Sequence, residues 1–203
     1  MAEMMNPRSI VANLDAFFAS KGLTLVPTEY RFFDGADKAS RETSKKSKPD
    51  AYIYHLMDNQ EIIGTLSISH TTEYNIHDKD TITLHVRDID VPEKHRGKGI
   101  ARAILLYGLC YSMTMHPRIR FSDLEDDTPF ANDPARNIYH EFGFRFKEGD
   151  PQEKMMDLAA FQQREMVQLY QKVTATFLQD RSRAVSLQSK PKTRSKSKSR
   201  NKK

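Results

Sequence analysis

Residues 96–101, Arg-Gly-Lys-Gly-Ile-Ala, place two glycines and two cationic side chains directly before a long apolar segment. The pattern predicts a turn from a strand that ends at Val91 into a helix that begins near Gly99. The first N–H groups of a helix lack intrahelical partners, and glycines let a ligand approach them closely. Arg96 and Lys98 add positive charge, so the segment indicates an anion site, most often for phosphate. A tight turn whose basic residues only face solvent is the alternative, because the spacing is neither a Walker loop nor GxGxxG.

The strand before this turn, residues 81–91, has apolar residues at alternate positions that change phase between Val86 and Ile89. One extra residue in the alternation predicts a β-bulge near Arg87 and Asp88, and bulges are frequent beside active sites. The segment therefore predicts an interrupted central strand directly before the anion-binding turn.

Hydrophobic periodicity predicts the elements that must hold this segment in place. Pro27 confines the first strand to a sheet edge or a bend. One helix is expected to begin at Asn132 or Asp133, with Pro134 in its first turn. The predicted helices cover 6–22, 99–115, 132–142 and 160–180, and the predicted strands cover 23–33, 51–57, 61–69, 81–91, 119–124, 143–148 and 154–159. This order indicates an α/β fold with a mixed sheet.

A second motif, Asn-Asp-Pro-Ala-Arg-Asn-Ile-Tyr-His-Glu-Phe-Gly-Phe, occupies residues 132–144. Together with Arg96-x-x-Gly99-x-Ala101 it resembles the acetyl-CoA signatures of the GNAT superfamily of N-acetyltransferases. The resemblance covers roughly residues 51–158 and implies the acyl-CoA N-acyltransferase fold of that superfamily, with a bulged central strand. The N-terminal part departs from the family, because one helix and a polar loop stand where two helices usually shape the substrate site.

The resemblance also implies roles for individual residues. Backbone groups of the bulged strand would pair with the pantetheine arm and the acetyl carbonyl of acetyl-CoA, and the turn before the helix would wrap the pyrophosphate. Tyr139 would protonate the departing thiolate; simple packing of its helix against the sheet is the alternative role. The cofactor-binding residues implied in this way are Ile89, Asp90, Val91, Arg96, Gly97, Lys98, Gly99, Ile100, Ala101, Asn132, Ala135 and Tyr139.

Acetyl transfer to an amine also needs a group that removes a proton from the amine. Asp88, Asp90 and Glu93 are the candidate catalytic bases, directly or through water, and His85 is a further possibility. Asp88 is preferred because it stands beside the predicted bulge, three residues before Val91, whose N–H could polarise the acetyl carbonyl. For each acid the alternative is an ordinary solvated or ion-paired surface carboxylate.

The chain of 203 residues, 38% of them hydrophobic, is long enough for one domain with a real core. We expect a single domain over 1–180, with a mobile loop over 34–50 and a disordered basic tail over 181–203. Cys110 is the single cysteine, and we expect it to be a buried apolar residue. A single cysteine excludes a disulfide framework and favours an intracellular location, cytoplasmic or nuclear. No apolar run is long enough to span a membrane, and the seven histidines lack metal-ligand spacing.

Charge is divided unevenly along the sequence. The segment 181–203 holds ten Lys or Arg and no acid, which leaves 22 basic against 27 acidic residues, a net −5, in the body. An acidic stretch over 123–133 favours a cationic acceptor, either a protein lysine or N-terminus or, second, a polyamine. The tail could bind nucleic acid or an anionic surface, act as a nuclear address, be an acetylation target, or only increase solubility.

The sequence as a whole therefore predicts an acetyl-CoA-dependent N-acetyltransferase that needs no metal. Two alternatives are a catalytically inactive protein of the same fold that binds nucleic acid through its tail, and a regulator that binds acyl-CoA without turnover. The sequence does not indicate an oligomeric state.

Overall fold

A computed structural model describes residues 6–30, 51–75, 78–129, 131–133, 135–147, 153–158 and 163–188. The helices are α1 (Pro7–Ala19), α2 (Ile100–Met115), α3 (Ile138–Phe142) and α4 (Gln163–Gln188), with a 3₁₀ turn at Glu93–His95. The strands are β1 (Leu23–Tyr30), β2 (Ala51–Asp58), β3 (Glu61–Asn75), β4 (Asp78–Asp90), β5 (Ile119–Glu125), β6 (Arg145–Phe146) and β7 (Glu153–Asp157). The predicted loop over 34–50 lies outside the described residues, as does the predicted tail from 189 onwards.

All seven strands form one mixed sheet in the order β1-β2-β3-β4-β5-β7-β6. The β4–β5 pair is parallel and is connected by α2, whereas the other neighbouring strands are antiparallel. The predicted mixed α/β class is confirmed. Pro27 lies in the edge strand β1, which is one of the two placements, edge or bend, that the sequence predicted.

The predicted bulge lies in the middle of the sheet. Ser67 of β3 pairs with Asp88, but the next residue, Ile68, pairs with Val86, so Arg87 is the extra residue. The Arg87 Nε donates a 2.8 Å hydrogen bond to the Ser69 hydroxyl. This bulge explains the change of phase in the apolar pattern of β4 and confirms the prediction.

The core lies between the sheet and three helices that pack against one another. Helix α2 contacts β2, β3 and β4, and α1 and α4 both pack against α2. Cys110 of α2 is fully buried, and burial raises the pKa of its thiol to about 12, which fits the predicted role as an apolar core residue. None of the helices in the described ranges is long and apolar enough to cross a membrane.

Helix α4 extends the core beyond the region that carries the motifs. Its apolar face is buried as its helical period predicted, and the Phe177 ring meets Phe17 and Phe18 of α1 at centroid distances of 5.4 and 6.3 Å. The helix continues to Gln188, so the predicted boundary between the helix and the tail at 180 was wrong. The residues of this buried face are Met166, Leu169, Val173 and Phe177.

The predicted helix over 132–142 was wrong in its first half. Residues 131–132 and 135–136 form turns, and the Asp133 side chain accepts the Ala135 N–H at 3.1 Å. Helix α3 begins only at Ile138, because Asn137 has extended backbone angles and caps the helix with its side chain. Asn132 and Asp133 therefore do not start the helix, and the strand predicted over 143–148 is reduced to β6.

Candidate active site

The sheet divides beside the bulge. The last pair between β4 and β5 is Val86 with Leu124, whereas β4 stays paired with β3 as far as Asp90. Strand β5 stays paired with β7 through Glu125. We call the resulting opening, between residues 87–91 and 125–127, the strand gap. Backbone N–H and C=O groups of β4 that face the gap are available to an extended ligand, because no strand pairs with them there.

The predicted anion-binding turn follows the strand gap. Gly97 and Gly99 both have left-handed backbones, with φ of +72° and +75°. Arg96 is exposed, and its Nε donates a 3.0 Å hydrogen bond to the carbonyl of Val91. Lys98 is half-buried, with its ammonium 3.5 Å from the His95 ring. The turn is thus tied to the end of β4, while two cationic groups stay beside it.

The start of α2 presents free backbone donors next to these glycines. Gly99 is the N-cap, and no side chain in the described part of the protein caps this helix. The first N–H groups of the helix are consequently open to an anion, and the helix dipole favours negative charge there. The Ile100 side chain points into the core and Ala101 is half-buried, so these two residues contribute backbone rather than side chains.

Tyr139 lies in the first turn of α3. Its ring is half-buried and meets Phe144 edge-on at 6.1 Å between centroids. Burial raises the pKa of its phenol well above the usual value, and the negative charges of Asp126, Asp88 and Asp127 raise it further. The hydroxyl therefore stays protonated at neutral pH and can donate a hydrogen bond or a proton.

The three candidate bases differ in their relation to Tyr139. Asp88, Asp90 and Glu93 are all exposed, and Glu93 lies in the 3₁₀ turn after β4. Asp88 is the one of these three whose charge acts on the Tyr139 phenol. The carboxylate of Asp88 on β4 is thus close enough for its charge to act on the tyrosine of α3.

Asn132 and Ala135 lie in the turns before α3, and both are exposed. Neither belongs to a helix, in contrast to the prediction. The turns nevertheless lead directly into Asn137, the N-cap of α3, so these two residues precede Tyr139 by a few positions in the chain.

A small cavity of about 220 Å³ adjoins the gap at the β4–β5 pair. The His85 ring and the Asp123 carboxyl group form a hydrogen bond there, with 19% and 17% of their side chains exposed. Burial raises the pKa of Asp123, and the nearby His85 only partly offsets that effect. The cavity is lined by His85, Val86, Arg87, Asp123, Leu124, Glu125 and Glu153.

The acidic stretch over 123–133 is only partly a solvent-facing surface. Asp123 pairs with His85, and Asp126 is 3% exposed and forms an ion pair with Lys154, which is completely buried. Asp126 therefore does not attract a ligand from solution. In this respect the structure differs from the sequence prediction. Glu125 and Asp127 are the exposed acids of this stretch beside the gap.

A larger cavity of about 660 Å³ lies between α3, β7 and α4. None of the residues predicted for the site lines it. It opens beside Gly143, at the opposite end of α3 from Asn137. The residues predicted for the site therefore lie around the strand gap and not around this larger cavity.

Sequence reasoning missed Asn137 and Lys154. Asn137 immediately precedes an apolar helical run, which is the preferred place of an N-cap residue and could have identified it. Lys154 occupies an inward position of β7. It is buried like Met156, two residues later, whereas Met155 between them is half-buried. A lysine at an inward strand position signals a buried partner, but the sequence does not say which carboxylate supplies it.

Comparison with solved structures finds similar chains at low sequence identity. One, described as AtaTR bound with AcCoA, is 14% identical, covers 70% of this chain and 96% of its own, and gives a TM-score of 0.48. Another, NAA60 of Arabidopsis thaliana in complex with acetyl-CoA, is 16% identical, covers 76% and 96%, and gives 0.43. No curated protein matches the sequence. The family model for the acetyltransferase (GNAT) family matches residues 22–144, which is more than half of the chain. This chain therefore belongs to the GNAT family of acetyltransferases.

Proposed function

We propose that this protein transfers the acetyl group of acetyl-CoA directly to an amine, with Tyr139 as general acid and Asp88 as general base. The observation that carries the proposal is the strand gap, where β4 leaves β5 directly after the Arg87 bulge. The electrostatic effect of Asp88 on Tyr139 supports a shared role at this opening.

The residues around the gap fit acetyl-CoA. Left-handed glycines and an uncapped helix start suit a pyrophosphate, and Arg96 and Lys98 supply positive charge. The gap-facing backbone of β4 at 89–90, together with the N–H of Val91 that follows it, suits the amide groups of a pantetheine arm. Asn132 and Ala135 would contact that arm from the turns before α3. Acetyl-CoA supplies the reactive thioester.

Each proposed residue has one task in the reaction. Asp88 accepts a proton from the acceptor ammonium or amine, directly or through water, so that the nitrogen lone pair can attack the thioester carbon. The N–H of Val91 donates to the carbonyl oxygen as it gains negative charge. As the C–S bond breaks, the Tyr139 hydroxyl donates to the sulfur. Asp90 and Glu93 remain the alternative bases.

We propose a cationic amine as acceptor, a protein lysine or N-terminus or a polyamine. The cavity beside the gap supports this class, because three carboxylates line it against Arg87 and His85. Asp127, which is exposed and lies two residues after Glu125, adds a further negative charge beside the strand gap. A cavity of this charge favours a small cation over an anion.

The proposal is tested by calorimetric titration of acetyl-CoA and by release of free CoA in the presence of spermidine or a lysine-rich peptide. We expect a dissociation constant of about 1 μM, near −8 kcal/mol, and acceptor-dependent CoA release that Tyr139→Phe lowers by about 100-fold. Tight binding without turnover on any amine would favour the acyl-CoA-binding regulator. Absence of binding would reject the site itself.

A further inference from the structure

We propose that the buried Asp126–Lys154 ion pair, acting through Asn137, is the device that positions Tyr139 at the strand gap. The proposal rests on the acetyl-transfer function proposed above, in which Tyr139 donates to the departing sulfur. Asp126, Lys154 and Asn137 are positioning residues, because they act on the reaction only through Tyr139.

The Asp126 carboxylate is the centre of this network. Its Oδ1 accepts from the backbone N–H and the hydroxyl of Thr128, at 3.1 and 2.6 Å. Its Oδ2 accepts from the Lys154 ammonium and from the Asn137 side-chain amide, the latter at 2.5 Å. Burial opposes the charged form, but these hydrogen bonds outweigh it and lower the pKa of Asp126. The carboxylate is thus charged, buried and held from several sides.

Lys154 fixes the carboxylate in place from another strand. Its side chain is completely buried on β7, and its ammonium also donates to the carbonyl of Ala131 at 2.8 Å. The ammonium lies 4.5 Å from the centre of the Phe146 ring on β6. One lysine therefore links β7, the end of β5 and the turns before α3, which are the elements on one side of the gap.

Asn137 carries this constraint into the helix. Its amide N–H₂ donates to Asp126, while its Oδ1 accepts the backbone N–H groups of Tyr139 and His140, at 2.8 and 3.3 Å. Helix α3 is five residues long, too short to be stable by itself. Its first turn, and with it Tyr139, is held where Asn137 is held.

The composition of the network favours a positioning role over a purely stabilising one. A buried ion pair generally adds little net stability compared with apolar residues of the same volume, because both charges lose their hydration. A charged pair with directional hydrogen bonds fixes one geometry instead. Here that geometry sets the distance between Tyr139 and β4 across the strand gap, which acid catalysis at the sulfur requires.

A double-mutant cycle between Asn137→Ala and Tyr139→Phe tests the proposal. We expect Asn137→Ala alone to lower kcat by about tenfold and to change KM for acetyl-CoA by less than about twofold. In the Tyr139→Phe background the same substitution should change kcat by less than about twofold, because the hydroxyl that it misplaces is gone. An equal tenfold loss in both backgrounds would overturn the proposal.

Asn137→Ser is the matched control for helix capping. Serine keeps an oxygen that caps α3 but has no amide to donate to Asp126. We expect it to lose kcat as Asn137→Ala does, after thermal melting has confirmed that both variants fold. Normal kcat in Asn137→Ser would show that capping alone suffices and would reject the role of the ion pair.

A readout without turnover separates this inference from the proposed function. The ¹³Cζ resonance of Tyr139 is identified by its absence in Tyr139→Phe and is followed against pH. In the wild type we expect the phenol to resist ionisation, since it is buried near Asp126, Asp88 and Asp127. In Asn137→Ala it should ionise at lower pH; an unchanged titration would overturn the positioning role even if no acceptor is found.

Discussion

Gly99, at the start of α2, lies directly against the backbone of Phe177 in α4. A Cβ atom at position 99 would be 3.3 Å from the Phe177 amide nitrogen and 3.4 Å from its Cα. The proposed anion-binding turn is therefore supported from behind by a helix that follows the family-matched region of 22–144. A glycine is required here by its left-handed φ and by this contact together.

Gly97→Ala and Gly99→Ala should differ in their effect on stability. Both glycines have positive φ, so alanine costs about 1–2 kcal/mol at either position. At Gly97 a Cβ would meet nothing within 4 Å, whereas at Gly99 it would press on the Phe177 backbone. We expect Gly99→Ala to lower the free energy of unfolding by about 1 kcal/mol more than Gly97→Ala, as measured in urea. Equal losses of unfolding free energy in the two variants would mean that α4 shifts to accommodate the new methyl group.

Asp88→Asn tests whether Asp88, rather than Asp90 or Glu93, is the general base. We expect it to lower kcat by about 100-fold, because the amide cannot accept the proton of the amine. Asp90→Asn and Glu93→Gln are the matched controls and should each retain kcat within about threefold. Steady-state assays with saturating acetyl-CoA measure all three. A large loss in Asp90→Asn or Glu93→Gln instead would transfer the role of base to that residue.

Lys154→Met should destabilise the fold in a pH-dependent manner. The lowered pKa of Asp126 contributes stability that is present above its unfolded pKa of about 4 and is lost as pH falls through the folded value. Without the ammonium, the buried carboxylate is uncompensated, and we expect a loss of about 3–5 kcal/mol near pH 7.

The deficit of Lys154→Met should shrink as pH falls towards about 4, because the uncompensated Asp126 of the variant then becomes protonated. Urea unfolding at several pH values measures this difference. Lys147→Met is the control: its ion pair with Glu153 is 46% and 25% exposed, so we expect at most about 1 kcal/mol. A deficit that is independent of pH would contradict the charged state of Asp126.

Deletion of residues 189–203 should affect targeting and leave the chemistry intact. The deletion removes eight Lys or Arg and ends the chain at the last residue of α4. We expect unchanged kcat on a small amine, and weaker, less salt-dependent binding to a DNA duplex. Replacement of the same residues by a neutral Gly-Ser segment of equal length controls for length. Salt-independent DNA binding in the full chain would reject an electrostatic role.

The sequence predicted the parts of this fold that depend on local pattern. The bulge at Arg87 was visible because side chains alternate along a strand, so one extra residue shifts every later apolar position. The buried face of α4 was visible in its helical period. Pro27 indicated an edge strand by the hydrogen bond that it cannot donate.

The local sequence pattern did not predict the structure where contacts with other parts of the chain determine it. The start of α3 was misplaced by several residues, because the Asp133 side chain forms a turn and Asn137 is held by Asp126. The partner of Lys154 is far from it in sequence, so no spacing rule could find it. Likewise, the contact of Gly99 with Phe177 depends on where α4 docks, which its own period does not fix.

The rings of Phe17 in α1 and Phe177 in α4 bring the first and last described helices together. The contact joins residues far apart in sequence, and such a non-local contact carries the entropic cost of closing the chain between them. Until α4 docks, the turn at Gly99 has no support from Phe177. A nascent chain whose α4 is still inside the ribosome lacks this support, so the proposed anion-binding turn would be complete only after α4 has emerged and docked.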